Sequence, residues 1–387
     1  MSANIILPRI MQIGEGASQA IPEVLHSLDC ARPLIITDRM MMELGYVNRI
    51  QQRLKEHQID ADVFADTVPE PTISSIMAGV DQVREGDYDS IIALGGGSPI
   101  DSAKAIAILG RYGGSMRDYK FPRVIDEQGL PLIAIPTTAG TGSEATKFTI
   151  ITDESSDEKM LCVGLGFMPV AALVDYSLTL SLPARITADT GIDALTHAME
   201  AYVSRKANAY SDSQALAAMR LLGPNLRRAY HNGQDQQARE AMMLGSTLAG
   251  IAFSNASVAL VHGMSRPIGA FFHVPHGLSN AMLLPSVTAF SIPAAPERYA
   301  DCARAIGVAE QEDNTETATG KLLAELVALN DELQVPTPAQ FGIEEEHFMS
   351  VTEEMASQAL SSGSPNNNPR IPTRDEIVEI YQALWKK

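Results

Sequence analysis

The chain has 387 residues, 45% of them hydrophobic and 20% charged, a globular profile whose length implies two or three domains of roughly 100–200 residues each. No apolar run approaches the roughly 18 residues of a membrane helix, and a formal charge of −18 argues against nucleic acid, whose phosphates are bound by Lys and Arg. The cysteines Cys30, Cys162 and Cys302 are far apart and odd in number, so no disulfide framework is expected.

The N-terminal stretch MSANIILPRIMQIGEG lacks the basic region and clean apolar core of a signal peptide, which makes the cytoplasm the expected location. Five short β-rich runs follow: 33–38 (PLIITD), 61–66 (ADVFAD), 90–97 (SIIALGGG), 131–138 (PLIAIPTT) and 169–175 (PVAALVD). Helical patterns lie between them, such as Ile73 to Glu85. This alternation predicts a doubly wound, mostly parallel sheet with helices on both faces. After about residue 180 strand signals nearly vanish. The segment SLPARITADTGIDALTHAMEAYVS and stretches near 211–229, 235–252, 295–306 and 316–333 read as helices by their 3.6-residue spacing. The expected organisation is therefore an α/β domain over 1–180 and a helical domain over 181–387. Residues 361–373 read as a loop before a last helix carrying Trp385.

Gly95, Gly96 and Gly97 end a buried strand and open a helix, where backbone N–H groups can face a pyrophosphate. Ser98 suits the N-cap, Pro99 the first helical position, and Asp101 would complete a capping box with Ser98. The motif is neither the G-x-G-x-x-G fingerprint nor a Walker loop, and alone it is also compatible with a tight turn. Asp38 closes its strand where a carboxylate can accept from ribose hydroxyls and repel a 2′-phosphate, favouring NAD over NADP. An ordinary turn or cap aspartate is the alternative. The segment PTTAGTGSEAT (136–146) gathers hydroxyls and glycines at another strand end, as a ligand-binding edge or a polar loop would.

Asp193 and His197 are four residues apart and share a helix face. His262, His273 and His276 fall within one fifteen-residue window of a chain that holds only eight histidines. One carboxylate with three imidazoles suits a borderline divalent ion such as iron(II) or zinc. A surface hydrogen bond and structural histidines are the competing reading.

Taken together, GGGSPIDSAKAIA (95–107), PTTAGTGSEAT, DTGIDALTHAMEAY (189–202), HGMSRPIGAFFHVPHGLSNAMLLP (262–285) and NNNPRIPT (366–373) resemble the signatures of the iron-containing (group III) alcohol dehydrogenases. The resemblance runs over nearly the whole chain. It implies the dehydroquinate synthase-like fold, with a dinucleotide-binding α/β domain followed by a helical metal-binding domain. It also implies NAD(H)-linked interconversion of a small primary alcohol or diol and its aldehyde. The metal, Fe2+ with Zn2+ as the alternative, falls to Asp193, His197, His262 and His276. The cofactor falls to Asp38, Gly95, Gly96, Gly97, Ser98, Asp101, Thr137, Thr138, Thr141, Ser143, Thr146, Lys159 and Leu178. A homodimer or larger homo-oligomer is expected, with neither nucleic acid nor membrane as partner. A zinc-dependent glycerol or polyol dehydrogenase of the same superfamily and a non-catalytic NAD-binding protein are the alternatives.

The sequence also departs from that pattern. Where many members carry a second histidine four residues after the one matching His262, this chain has Arg266. Arginine exchanges no proton near neutral pH, but it can bind a carboxylate or pair structurally with an acid. His273 is then the remaining candidate for a proton relay. Glu70 stands where Asn is common, and SGSPNNNPR (362–370) replaces the usual acidic and Cys residues.

Overall fold

Mostly apolar runs of three to six residues, closed by turn formers, make the strands β1 (Ile10–Ile13), β2 (Pro33–Ile36), β3 (Asp62–Phe64), β4 (Ser90–Gly95), β5 (Leu132–Pro136) and β8 (Ala171–Val174). They form one sheet in the order β1-β8-β5-β4-β2-β3, every pair parallel. The computed structural model describes residues 2–156 and 158–385. Strands β2, β4, β5 and β8 are buried along their whole length, as strands covered on both faces must be. One apolar cluster packs Ile76, Val80, Ile100 and Ile106 against one face, and another packs Leu25, Val47 and Leu54 against the other.

The five strands expected from sequence all form, each trimmed to the part that pairs. Two features were not anticipated. Strand β1 is an edge strand with only partial burial. Strands β6 (Phe148–Asp153) and β7 (Glu158–Val163) make a separate antiparallel hairpin with alternating burial.

The helices of this part are α1 (Ile21–Ser27), α2 (Arg39–Glu43), α3 (Tyr46–Glu56), α4 (Ile73–Glu85) and α5 (Gly97–Tyr112). Strand order reverses between β2 and β4, and in such sheets ligands bind beyond the carboxyl ends of the strands at the reversal. Asp38 lies beyond β2, and Gly96 and Gly97 lie beyond β4, so topology alone puts them at that point.

The rest is helical: α6 (Ala184–Val203), α7 (Ala209–His231), α8 (Gln236–Ala256), α9 (Leu260–Phe272), α10 (His276–Ser291), α11 (Pro296–Ala305), α12 (Thr315–Glu332), α13 (Pro338–Phe341), α14 (Glu345–Ser361) and α15 (Arg374–Trp385). Within 361–373 a short 3-10 turn covers Ser364–Asn367. The chain divides into two units, Ile6–Ser181 and Leu182–Lys387 with Met1–Ile5. No single helix among the described residues is long and apolar enough to cross a membrane.

Candidate functional site

In the α/β unit the glycine turn is built as a cradle. Helix α5 starts at Gly97, with Gly96 at its N-cap and no side chain capping it. A Cβ on Gly96 would come to 3.2 Å from the Thr138 methyl, and one on Gly97 to 2.7 Å from that of Thr141. Gly95 has φ 150°, which disfavours any side chain. The expected capping box is therefore corrected: Ser98 lies inside the first turn, and its Oγ accepts from the N–H of Glu70 at 3.3 Å. Uncapped N–H groups at a helix start suit an anion.

Asp101 is engaged elsewhere. It accepts from Ser143 Oγ at 2.6 Å and from the N–H of Ile150 at 3.1 Å, tying helix to loop and hairpin. One turn on, Lys104 is fully buried, and its Nζ donates to Ser143 Oγ, Thr146 Oγ1, Thr146 O and Phe148 O at 2.7–3.1 Å. Burial, opposed by the nearby Asp101 and Glu144 carboxylates, brings the Lys104 ammonium down to about 8. Ser143 and Thr146 are thus spoken for by this lysine, whereas Thr137 Oγ1 is buried without a partner. That orphan hydroxyl and the side-chain-free turn fit a dinucleotide.

The remaining expected cofactor residues are more dispersed. Asp38 is half-buried and N-caps α2, its Oδ1 accepting from the Met41 N–H at 3.0 Å. Lys159 extends from β7 with its side chain only 7% exposed and pairs with Glu70 Oε2 at 2.6 Å. Leu178 lines a cavity of about 190 Å³ with Tyr46, Leu94 and Asp175, and its carbonyl accepts from the Tyr46 hydroxyl at 3.2 Å.

In the helical unit, Asp193, His197, His262 and His276 each offer one ligand atom, all within 4.8 Å of one another. Helix periodicity puts Asp193 and His197 one turn apart on α6. The sharp break between α8 and α9, with Ser257 at φ 70°, precedes His262, and His276 opens α10 after Pro275. Nitrogens of His262, His276 and His197 lie 3.4, 3.7 and 3.9 Å from Asp193 Oδ1. Ligands bonded at about 2.0–2.2 Å to one ion stand about 3–4 Å apart, so the donor set fits a divalent metal. Burial opposes ionisation of Asp193, but the three imidazoles outweigh it and hold its carboxyl below the usual range.

Two residues here were missed from sequence. Glu200 accepts from His262 Nδ1 at 2.7 Å and from the N–H groups of Ala259 and Val261 at 2.9 and 2.6 Å. Asn280 donates to Asp193 Oδ1 at 2.7 Å and lies 3.2 Å from Nε2 of both His262 and His276. The signal was legible: Glu200 follows His197 by three residues on the same apolar helix, and Asn280 follows His276 by four.

Arg266 and His273 differ sharply. Arg266 Nη1 donates to Ser364 Oγ at 3.0 Å, and its Nε is buried without a partner. His273 is exposed and ends α9 in the left-handed region at φ 54°, its N–H bonded to Gly269 O.

These observations align with known proteins. The profile of the iron-containing alcohol dehydrogenases matches residues 8–176, and that of the C-terminal part of the Fe-containing alcohol dehydrogenase family matches 187–385. The chain is 40% identical to long-chain-alcohol dehydrogenase 1 of Geobacillus thermodenitrificans, over 99% of this chain and 97% of that one. A 1,3-propanediol oxidoreductase structure superposes with a TM-score of 0.94 at 32% identity, covering 99% of this chain and 100% of that one. A sulfoacetaldehyde reductase from Bifidobacterium kashiwanohense, solved in complex with NAD+, gives 0.89 at 27% identity with both chains fully covered.

Proposed function

The chain belongs to the iron-containing alcohol dehydrogenase family, and from that premise we propose that it interconverts a small primary alcohol or diol and its aldehyde by hydride exchange with NAD(H), at an ion held by Asp193, His197, His262 and His276. The observation that carries this reading is the convergence of four mostly buried ligand atoms within 4.8 Å. The zinc-dependent polyol reading is not favoured, because the matched family is iron-containing.

When bound, a divalent ion at these four residues polarises the substrate oxygen as a Lewis acid. The protein's own groups prepare that chemistry. Glu200 fixes the His262 ring by its Nδ1, leaving Nε2 to face Asp193. Asn280 orients the Asp193 carboxylate. In the α/β unit, the N–H groups at the start of α5 would hold the pyrophosphate, Asp38 the adenosine ribose, and Thr137 a further polar group of the dinucleotide. Lys104 holds the loop around Ser143 and Thr146 in place. A homodimer or larger homo-oligomer in the cytoplasm completes the reading, to be checked by light scattering and fractionation.

The deciding experiment is a panel of alcohols with NAD and aldehydes with NADH on protein purified without air and loaded with iron. Turnover that disappears on chelation and returns with Fe2+ supports the reading; turnover indifferent to chelation removes it.

A further inference from the structure

We propose that Arg266 is a recognition group for an anionic substrate, so that the preferred aldehyde or alcohol carries a carboxylate or a similar acid at the end remote from the reacting carbon. The inference rests on the dehydrogenase reading above and names its substrate class.

Arg266 follows the ligand His262 by four residues on α9, so the two side chains leave the same helix face one turn apart. Arginines this enclosed are ordinarily neutralised by a carboxylate. Here no carboxylate lies within 4.0 Å among the described residues. The one fixed contact of the guanidinium is the Ser364 hydroxyl, and its Nε has no hydrogen-bond partner. Burial brings the guanidinium down to about 10, with Glu200 the one acid that offsets the effect. Glu200 does not serve as its partner, because both of its oxygens are taken by Ala259, Val261 and His262. Ser364 steadies the Nη1 arm of the fork, while the residue as a whole is only partly buried.

The local charge points the same way. Asp193 and Glu200 contribute two formal negative charges and Arg266 one positive, while the Arg185–Asp189 pair cancels itself. A divalent ion brings the group to a net charge of about +1, which one substrate anion neutralises. A guanidinium binds a planar carboxylate through two parallel N–H donors, a geometry that lysine cannot reproduce. A neutral substrate would leave the guanidinium charge without a counter-ion, and sites built to bind a polar group discriminate strongly against substrates that lack it.

The test compares kcat/KM for NADH-dependent reduction of acetaldehyde, propanal and butanal with that for two-, three- and four-carbon aldehydes ending in a carboxylate. The wild type should favour the acid at one or more chain lengths by about tenfold or more. Arg266→Gln should bring the acid-to-neutral ratio toward one. Arg266→Lys should retain part of it, and decides the matter should the glutamine variant fail to fold. Calorimetric binding of the matching hydroxy acid to ion-loaded protein, without nucleotide to turn it over, should weaken about tenfold or more in Arg266→Gln. A ratio and an affinity both unmoved by the substitution overturn the proposal. A wild type that reduces neutral aldehydes with no preference for acids overturns it while leaving the dehydrogenase reading intact; one that reduces neither class removes that reading instead.

Discussion

Glu200 accepts a hydrogen bond from Nδ1 of His262 at 2.7 Å, and this contact sets which face of the ring meets Asp193. Both groups are almost fully buried, and the same carboxylate accepts two backbone N–H groups at the start of α9. Glu200 therefore anchors the break between α8 and α9 and the His262 ring that follows it. Glu200→Gln keeps the shape but removes the charge that makes the imidazole a better donor. Metal affinity should fall about 10- to 100-fold with little change in the Kd for NADH. Titration with Fe2+ under anaerobic conditions reads this; an unchanged affinity would assign Glu200 to the helix start alone.

His262→Ala removes a proposed ligand rather than its support. The variant should bind no metal at stoichiometric levels, lose turnover and keep its affinity for NAD, since every expected dinucleotide contact lies in Ile6–Ser181. Metal analysis together with nucleotide titration checks it, and full activity after chelation would contradict the four-residue site.

The pH dependence of metal binding follows from His262. Burial opposes its charging, but the hydrogen bonds to Asp193 and Glu200 outweigh burial and raise its pKa. In the metal-free protein the imidazolium thus contributes stability that is fully present below the unfolded value of about 6.5 and is lost as pH rises through the raised value. An incoming ion must displace that proton. Metal affinity should therefore climb about tenfold per pH unit on the acid side and level off above the raised pKa. The gain in Tm on adding metal should grow in the same direction; a gain independent of pH between 6 and 8 would show that no proton is displaced.

How far the sequence could be read depended on whether the signal was periodic or positional. Strands β4 and β5 announce themselves as buried apolar runs, and α6 as a long 3.6-residue pattern, so the sheet core and the shared face of Asp193 and His197 are legible. Strand β1 is a half-buried edge with Gln12 in its middle, and it lacks that contrast. The β6–β7 hairpin has the alternation of a strand, but its Thr, Asp, Glu and Lys dilute the apolar contrast that marks the central strands. The capping box misread Asp101 because local spacing says nothing of a loop forty residues on whose Ser143 claims that carboxylate. Glu200 and Asn280 stand at visible helical spacings from His197 and His276, but the contacts that give them their roles, with His262 and Asp193 on other helices, appear only once the chain has folded.

Asp38 offers a test of nucleotide choice. Its Oδ1 caps α2, so a substitution affects both that cap and the proposed ribose contact. Glycine is well tolerated at an N-cap and should cost only about a few tenths of a kcal/mol. Asp38→Gly should raise the kcat/KM ratio of NADP to NAD about tenfold or more by removing the charge that repels a 2′-phosphate. An unchanged ratio with an unchanged Tm would leave Asp38 as a helix cap and nothing more.

Lys104 links stability to pH with a sign opposite to that of His262. Burial brings its ammonium down from 10.5 to about 8, so the fold disfavours the charged form. Below pH 8 both folded and unfolded chains carry the proton, and the penalty for burying it is present in full. Between pH 8 and 10.5 the native chain releases the proton while the unfolded chain keeps it, and stability recovers. Lys104→Met has no such titration and also loses four hydrogen bonds to Ser143, Thr146 and Phe148. The variant should be less stable at neutral pH, because those carbonyl and hydroxyl acceptors are left buried and unmade. The wild type should then gain on it by about 2 kcal/mol as pH rises from 8 to 10, most of the roughly 3 kcal/mol that separates the two protonation states at low pH. Urea unfolding of both proteins at pH 7.5 and 10 measures the difference. A constant gap would mean that the four acceptors hold the ammonium charged throughout, and that Lys104 ties the loop as a permanent cation.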